Sequence, residues 1–262
     1  EEFGARFYPN DVAEYGTQAG IGIFNLASGG FGTVPASLLP GRSSYALILH
    51  EFGHAHGVAH PHDTGGGSEI MPGVLTTTGF YSVFNLNQGV YTVMSYNDAY
   101  QTHPDGVTSL NLSNIDNGWS ASLSAFDIAV LQQRYGVHDY NDGDNIYTIT
   151  DVKNDAVFEC IWDSGGTDAI AYGGVVNAII DLTAATLDYS ATGGGPLSFI
   201  NAPGIQTYRG GYTIANGVVI ENATSGGGND QLIGNSSANI LTGNNGNDLL
   251  MGRGGDDTLL GG

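Results

Sequence analysis

His50-Glu51-Phe52-Gly53-His54-Ala55-His56-Gly57-Val58-Ala59-His60 is the stretch on which the reading of this chain turns. It satisfies H-E-x-x-H-x-x-G-x-x-H at every specified position. On a helix, residues four apart share a face, so His50 and His54 can bind one zinc ion with Glu51 beside them. His60 lies too far along the axis to join them while the helix continues. Gly57 can end the helix in a φ > 0 conformation and bring His60 back from another direction. Three neutral imidazoles leave zinc its 2+ charge and an open position for water, whose pKa can fall from 15.7 to roughly 7. Glu51 then reads as the group that takes the proton and later delivers it to a leaving amine. The rival reading, a chance histidine cluster on a surface helix, would suit a bare H-E-x-x-H better than this extended form.

Working outward, Ser43 or Ser44 reads as the N-cap of that helix, the run Tyr45-Ala46-Leu47-Ile48-Leu49 carries it through Phe52, and Gly57 takes the C′ position. Residues 1–40 alternate short apolar stretches such as Ile21-Gly22-Ile23-Phe24 with Gly and Pro, and read as strands and turns. Residues 61–123 read mostly as loop. A second helix is signalled by the capping-box-like start Ser124-Ala125-Phe126-Asp127, with Ile128, Leu131 and Tyr135 on one face and Gly136 as its close. After Tyr140 the texture changes to short β-branched runs, Ile146-Tyr147-Thr148-Ile149 and Ala178-Ile179-Ile180, so a domain boundary is expected near residue 138.

From Ser225 the pattern repeats every nine residues: SGGGNDQLI, GNSSANILT, GNNGNDLLM, GRGGDDTLL. The units approximate G-G-x-G-x-D-x-U-x, in which glycines make the turn, Asp adds carboxylate oxygens and the last three residues form a short strand. Oxygen-rich turns of that kind suit calcium, with 6–8 ligands at roughly 2.3–2.6 Å. Two units make one coil of a parallel β-roll, so facing turns are two units apart. Calcium is therefore expected between Gly226-Gly228-Asp230 and Gly243-Gly246-Asp248, and between Asn235-Ser237-Asn239 and Gly252-Gly255-Asp257, with Asn244 and Arg253 among the candidate ligands. GNSSANILT is the weak copy, because Asn239 replaces the carboxylate. Leu232, Leu241, Leu250 and Leu259 should stack as an interior ladder.

Composition bounds the partners. The 262 residues carry a formal charge of −20 with only six Lys plus Arg, which argues against nucleic acid or an anionic membrane and favours cations. Gly is abundant at 42 residues, yet 41% of the chain is hydrophobic, so this is not simply low-complexity sequence. One cysteine, Cys160, excludes an intrachain disulfide, so an extracellular chain would need another staple, for which bound metal is the candidate. No apolar run approaches the ~20 residues that span a bilayer. Glu1-Glu2-Phe3-Gly4 lacks a signal-peptide layout, and Gly261-Gly262 falls inside the repeat, so a truncated or processed product is expected.

The extended histidine motif resembles that of the metzincin metallopeptidases, and Val93-Met94-Ser95-Tyr96 is similar to their methionine turn in its serralysin form. The resemblance implies an α+β zincin-like protease domain over 1–138 followed by an all-β parallel roll over 139–262, in a secreted zinc endopeptidase. It implies that Tyr96 ligates zinc in the resting enzyme and swings away to bond the tetrahedral intermediate, and that Met94 forms an apolar floor under the imidazoles. The nine-residue units resemble the repeats-in-toxin nonapeptide, which serralysins carry after the protease domain. By that match Asn141, Gly143, Asn145, Asp163, Gly165, Gly166, Asp168, Val219 and Glu221 also fall at calcium positions.

His56, His62 and His103 read as non-ligands, and Asp63 either orients a ligand histidine or is a plain loop residue. Asn97 stands where the family usually has an aromatic residue, so a different wall of the specificity pocket is expected. Much of the family's sheet that aligns substrate is expected to be missing from the region before residue 44, so a second fragment or a longer mature enzyme is expected to complete the fold. Protein or peptide substrates, a proteinaceous inhibitor and a monomeric state complete the expectations, with export by a type I system. The alternative is a non-enzymatic calcium-binding module for adhesion or assembly with an inactive zinc site.

Overall fold

The computed structural model describes residues 38–64, 68–102, 118–152, 157–202 and 210–262, and the backbone of four short strands at 5–7, 22–24, 110–112 and 115–117. Helix α1, Ser43–Ala55, carries the histidine motif. It begins one residue earlier than a serine cap would allow, with Arg42 at the N-cap (φ −102°, ψ 157°). The cause is the turn before it. The Arg42 N–H donates to the Leu39 carbonyl (3.1 Å) with Gly41 at φ +77°, which delivers the chain into the helix and buries Ser44 in the first turn.

Gly57 closes α1 as expected, at φ +83°. Its N–H donates to the His54 carbonyl (2.9 Å) and that of Val58 to the Gly53 carbonyl (3.0 Å), the paired bonds of a Schellman turn. Helix α2, Ala125–Tyr135, starts with the Ser124–Asp127 capping box and stops at Gly136, φ +89°. Between the helices, the described residues are mostly irregular. Among them are one 3-10 turn, Val83–Asn85, and the antiparallel pair of β3 (Leu110–Leu112) and β4 (Ile115–Asn117). Upstream, β1 (Ala5–Phe7) pairs antiparallel with β2 (Gly22–Phe24); the other expectations for residues 1–37 lie outside the described residues.

The rest of the chain forms short strands: β5 (Ile146–Thr148), β6 (Phe158–Ile161), β7 (Ala169–Ala171), β8 (Ala178–Asp181), β9 (Phe199–Ile200), β10 (Gly211–Ile214), β11 (Asn222–Thr224), β12 (Gln231–Ile233), β13 (Ile240–Thr242), β14 (Leu249–Met251) and β15 (Thr258–Leu260). One sheet, ordered β15-β13-β11-β7-β5, is parallel throughout, and a second, β14-β12-β8-β9, is parallel except for β9. Leu232 registers with Leu250 and Leu241 with Leu259, so successive nonapeptides alternate between sheets and two make one coil. These mostly parallel sheets fit a β-roll. Ile170, Ile180, Ala223, Leu232 and Leu241 are fully buried between the sheets, whereas Leu259 on β15, which pairs on one side only, is 46% exposed.

Packing runs across residue 138. Ala125 and Ile128 of α2 join the roll's core, while Phe158 of β6 and Leu197 pack with Leu86, Val90 and Tyr91 from the long loop. Residues 119–121 extend the contact as backbone: Ser120 bridges to Phe158, and the Ala121 N–H donates to the Phe158 carbonyl (2.8 Å). Among the described residues no helix is long and apolar enough to cross a membrane.

Candidate metal centre

Helical spacing puts His50 and His54 on one face of α1, and the Gly57 turn brings His60 back against both. The Nε2 atom of His60 lies 3.1 Å from that of His50 and 2.9 Å from that of His54. Each ring is held from behind. Nδ1–H of His50 donates to the Val93 carbonyl (2.8 Å), Nδ1–H of His54 to the Val58 carbonyl (3.0 Å) and Nδ1–H of His60 to Asp63 Oδ2 (2.6 Å). A carbonyl can only accept, so in His50 and His54 the proton belongs on Nδ1 and the Nε2 lone pair points at the other rings. Burial, with the neighbouring rings adding to it, holds His50 down at about 4, so it is neutral at physiological pH.

Lone pairs facing one another at this distance repel unless a cation stands between them. Three imidazole nitrogens are a donor set for zinc, and tetrahedral Zn–N bonds of about 2.0–2.1 Å place nitrogens about 3.3 Å apart. The triad therefore fits the ion with an adjustment of a few tenths of an ångström. Glu51, next along the helix, is buried. The Tyr96 ring faces the triad, its centroid 4.8 Å from that of His60 and 5.7 Å from that of His50.

The floor is built from Met94, which is fully buried. A Cβ on Gly53 would stand 2.5 Å from Met94 Sδ, so glycine between the two helix histidines is what lets the sulfur approach. Asp127 fixes the turn that presents Met94. Its carboxylate accepts from the Val93 N–H (2.8 Å), the Thr92 hydroxyl (2.7 Å) and the Ser124 N–H (3.0 Å). One residue thus caps α2 and holds Val93, whose carbonyl orients His50. The capping pattern made Asp127 visible in the sequence, but its second role depends on contact with residues more than thirty positions away.

Beside His50 lies a cavity of about 560 Å³, with Leu47, Val93, Tyr96, Ala99, Trp119 and Ser120 in its lining. Asn97 does not line it. It is 1% exposed and turned inward, accepting from the Gly79 N–H (2.8 Å) and donating to the carbonyls of Asn87 (2.9 Å) and Phe80 (3.2 Å). An amide there ties the 79–87 loop to the methionine turn, which an aromatic ring could not do.

His56 stays out of the triad and meets the Tyr135 hydroxyl instead (3.3 Å). His62 is also outside the triad but stacks on His60, and Asp63 orients His60. His103 lies outside the described residues.

The roll brings the candidate calcium residues together in rows. Asp248 Oδ1 accepts from the Asp230 N–H (2.9 Å), Asp257 Oδ1 from the Asn239 N–H (2.9 Å), Asp168 Oδ1 from the Asn145 N–H (2.8 Å) and Glu221 Oε2 from the Asp168 N–H (2.8 Å). Each carboxylate thus stitches one coil to the coil before it. Gly246, Gly255 and Gly166 take φ of +129°, +102° and +123°, and any Cβ there would strike the carbonyl oxygen of Gly228, Ser237 or Gly143. That close stacking is why these turn positions are glycine.

On the edge formed by Gly226, Gly228, Asp230, Gly243, Asn244, Gly246 and Asp248, the Oδ2 atoms of Asp230 and Asp248 are buried with no hydrogen-bond partner. Two such oxygens on adjoining turns would be met by a cation, and an all-oxygen set fits calcium. The other edge differs. Asn239 spends Oδ1 on the Asn235 N–H (2.8 Å) and its amide on the Glu221 carbonyl (2.9 Å). Arg253 turns toward Asp181 Oδ2 (3.7 Å). Asp163 has both oxygens engaged, by the Tyr147 hydroxyl (2.5 Å) and the Gly165 N–H (3.0 Å), and Val219 is 46% exposed.

Residues 127–259 match the family described as Peptidase M10 serralysin C terminal. The chain belongs to the serralysin family. It is 32% identical to the serralysin of Proteus mirabilis over 214 residues, covering 77% of this chain and 37% of that protein. The serralysin of Photorhabdus luminescens is 32% identical over 206 residues, with the same 77% and 37% coverage. Metalloprotease AprA of Pseudomonas entomophila is 33% identical over 218 residues, 77% of this chain and 39% of that protein. The chain thus spans less than two fifths of the length of these relatives. Within the serralysin family match fall α2 from Asp127 onward and every strand of the roll up to β15.

Proposed function

We propose that this chain is the zinc- and calcium-dependent part of a secreted metalloendopeptidase, with a catalytic unit over residues 1–138 and a calcium-binding roll over 139–262. The convergence of three Nε2 lone pairs, each ring fixed through Nδ1, supports the reading most strongly. His50, His54 and His60 would hold zinc, with Tyr96 as a fourth ligand at rest. When bound, the ion supplies Lewis-acid charge that lowers the pKa of water to roughly 7.

Glu51 accepts the proton of the attacking water as its oxygen bonds to the scissile carbonyl carbon. It returns that proton to the amide nitrogen as the C–N bond breaks, so the peptide leaves as a neutral amine. The Tyr96 hydroxyl donates to the oxygen that gains negative charge. The cavity beside His50 receives a substrate side chain, and Asn97 keeps its outer loop in place. Asp63 and Val93 hold the ligand rings and do not touch substrate.

The substrates are extended polypeptides, with no nucleic acid or membrane in the reaction. A proteinaceous inhibitor would occupy the same cleft, and the unit acts as a monomer, completed by the rest of a longer enzyme or by a second fragment. One observation favours a non-enzymatic calcium module: the family match begins at Asp127, downstream of the histidines. Casein cleavage decides between the two. It should be abolished by a zinc chelator and by Glu51→Ala; a folded, zinc-loaded protein without cleavage would leave the module reading standing.

A further inference from the structure

We infer that His62 and Asp63 form a second zinc site beside the histidine triad, one that fills when zinc is in excess and closes the approach to the first. One ring nitrogen of His62, one carboxylate oxygen of Asp63 and one ring nitrogen of His60 lie within 4.8 Å of one another. The His62 ring is stacked on His60, with centroids 4.7 Å apart and planes 15° from parallel, and its centroid is 4.6 Å from that of Tyr96. Its position is therefore fixed from two sides. The corner that carries it is held as well, by the Met71 N–H donating to the carbonyl of buried Pro61 (2.9 Å) and the Asp63 N–H donating to the His60 carbonyl (3.4 Å).

Imidazole nitrogen and carboxylate oxygen are both zinc donors. Asp63 Oδ2 accepts the His60 proton at 2.6 Å, but a carboxylate offers about four lone-pair positions, so Asp63 can ligate a second ion without giving up that bond. With two protein ligands and water for the rest, this site is weaker than the triad and fills second. Calcium, which prefers six or more oxygens, gains little from one imidazole and one carboxylate. Selectivity for zinc over the roll's own ion follows from the donor set.

The consequence for activity rests on the proposed function. An ion held by His62 would lie against His60 and Tyr96, the residues proposed to hold zinc and to donate to the reacting oxygen, so its charge and its waters would compete with the substrate carbonyl there. Excess zinc should therefore inhibit hydrolysis.

Equilibrium dialysis of the 262-residue chain against excess zinc, in saturating calcium, tests the site without reference to turnover. The wild type should retain one more zinc than His62→Ala, and His62→Gln, which keeps side-chain bulk without a nitrogen ligand, should match His62→Ala. Peptide cleavage by the wild type should fall as zinc rises beyond the first equivalent, and by His62→Ala it should not. Equal zinc content in the wild type and both folded variants overturns the second site. Equal content with no zinc on the triad overturns the proposed function as well, so the two failures read differently.

Discussion

Asp127 shows how much can rest on one buried side chain. Its carboxylate serves three donors from two segments, and through Val93 it reaches His50. Asp127→Ala strips those donors of their acceptor inside the protein. At about 1–3 kcal/mol for each orphaned group, less the relief of removing a desolvated charge, the expected loss is about 3 kcal/mol in urea unfolding. Burial raises the Asp127 carboxyl from 3.8 to about 6. A carboxyl whose folded pKa lies above its unfolded value binds more proton in the folded state, so its contribution is greatest below about pH 4 and is lost as pH rises through 6. The stability difference between wild type and Asp127→Asn, which does not titrate, should therefore shrink across that window. A difference that grew with pH would refute this account of the site.

Among the secondary-structure elements, α1 presents a contradiction between helix propensity and packing. Alanine is favoured over glycine in a helix interior by about 1 kcal/mol. At Gly53 the gain should be overturned, because the new methyl would meet Met94 Sδ. Gly53→Ala is expected to lower the melting temperature and weaken zinc retention, with partial rescue by Met94→Ala; a more stable single variant would show that Met94 does not press on the helix. The sequence makes α1, its Gly57 end and the 18-residue coil legible because each is a local pattern with a fixed spacing. The N-cap at Arg42, the inward turn of Asn97 and the tie from Asp127 to Val93 are not legible that way. They depend on which distant segments meet, and no periodicity encodes that.

Across the molecule, a formal charge of −20 is spread over a chain whose carboxylates gather on the turns of the roll. Asp230 and Asp248 each use one oxygen to join neighbouring coils and bury the other without a partner. Removing calcium should leave these groups repelling one another, and the roll should lose β-structure by circular dichroism and melt at lower temperature. An unchanged spectrum and melting point after exhaustive chelation would contradict the calcium assignment. Asp248→Ala should reduce calcium stoichiometry at once, whereas Asn239→Ala, whose amide is already committed within the protein, should leave it nearly unchanged.

Trp119 and Ser120 line the cavity beside His50, and the same segment is hydrogen-bonded to β6 of the roll. The roll is therefore a foundation for one side of the cleft as well as an appendage. If the chain cleaves peptides as proposed, loosening it by degrees should blur which bonds are cut before it slows the cutting, so fading selectivity would be the earliest sign of a failing foundation.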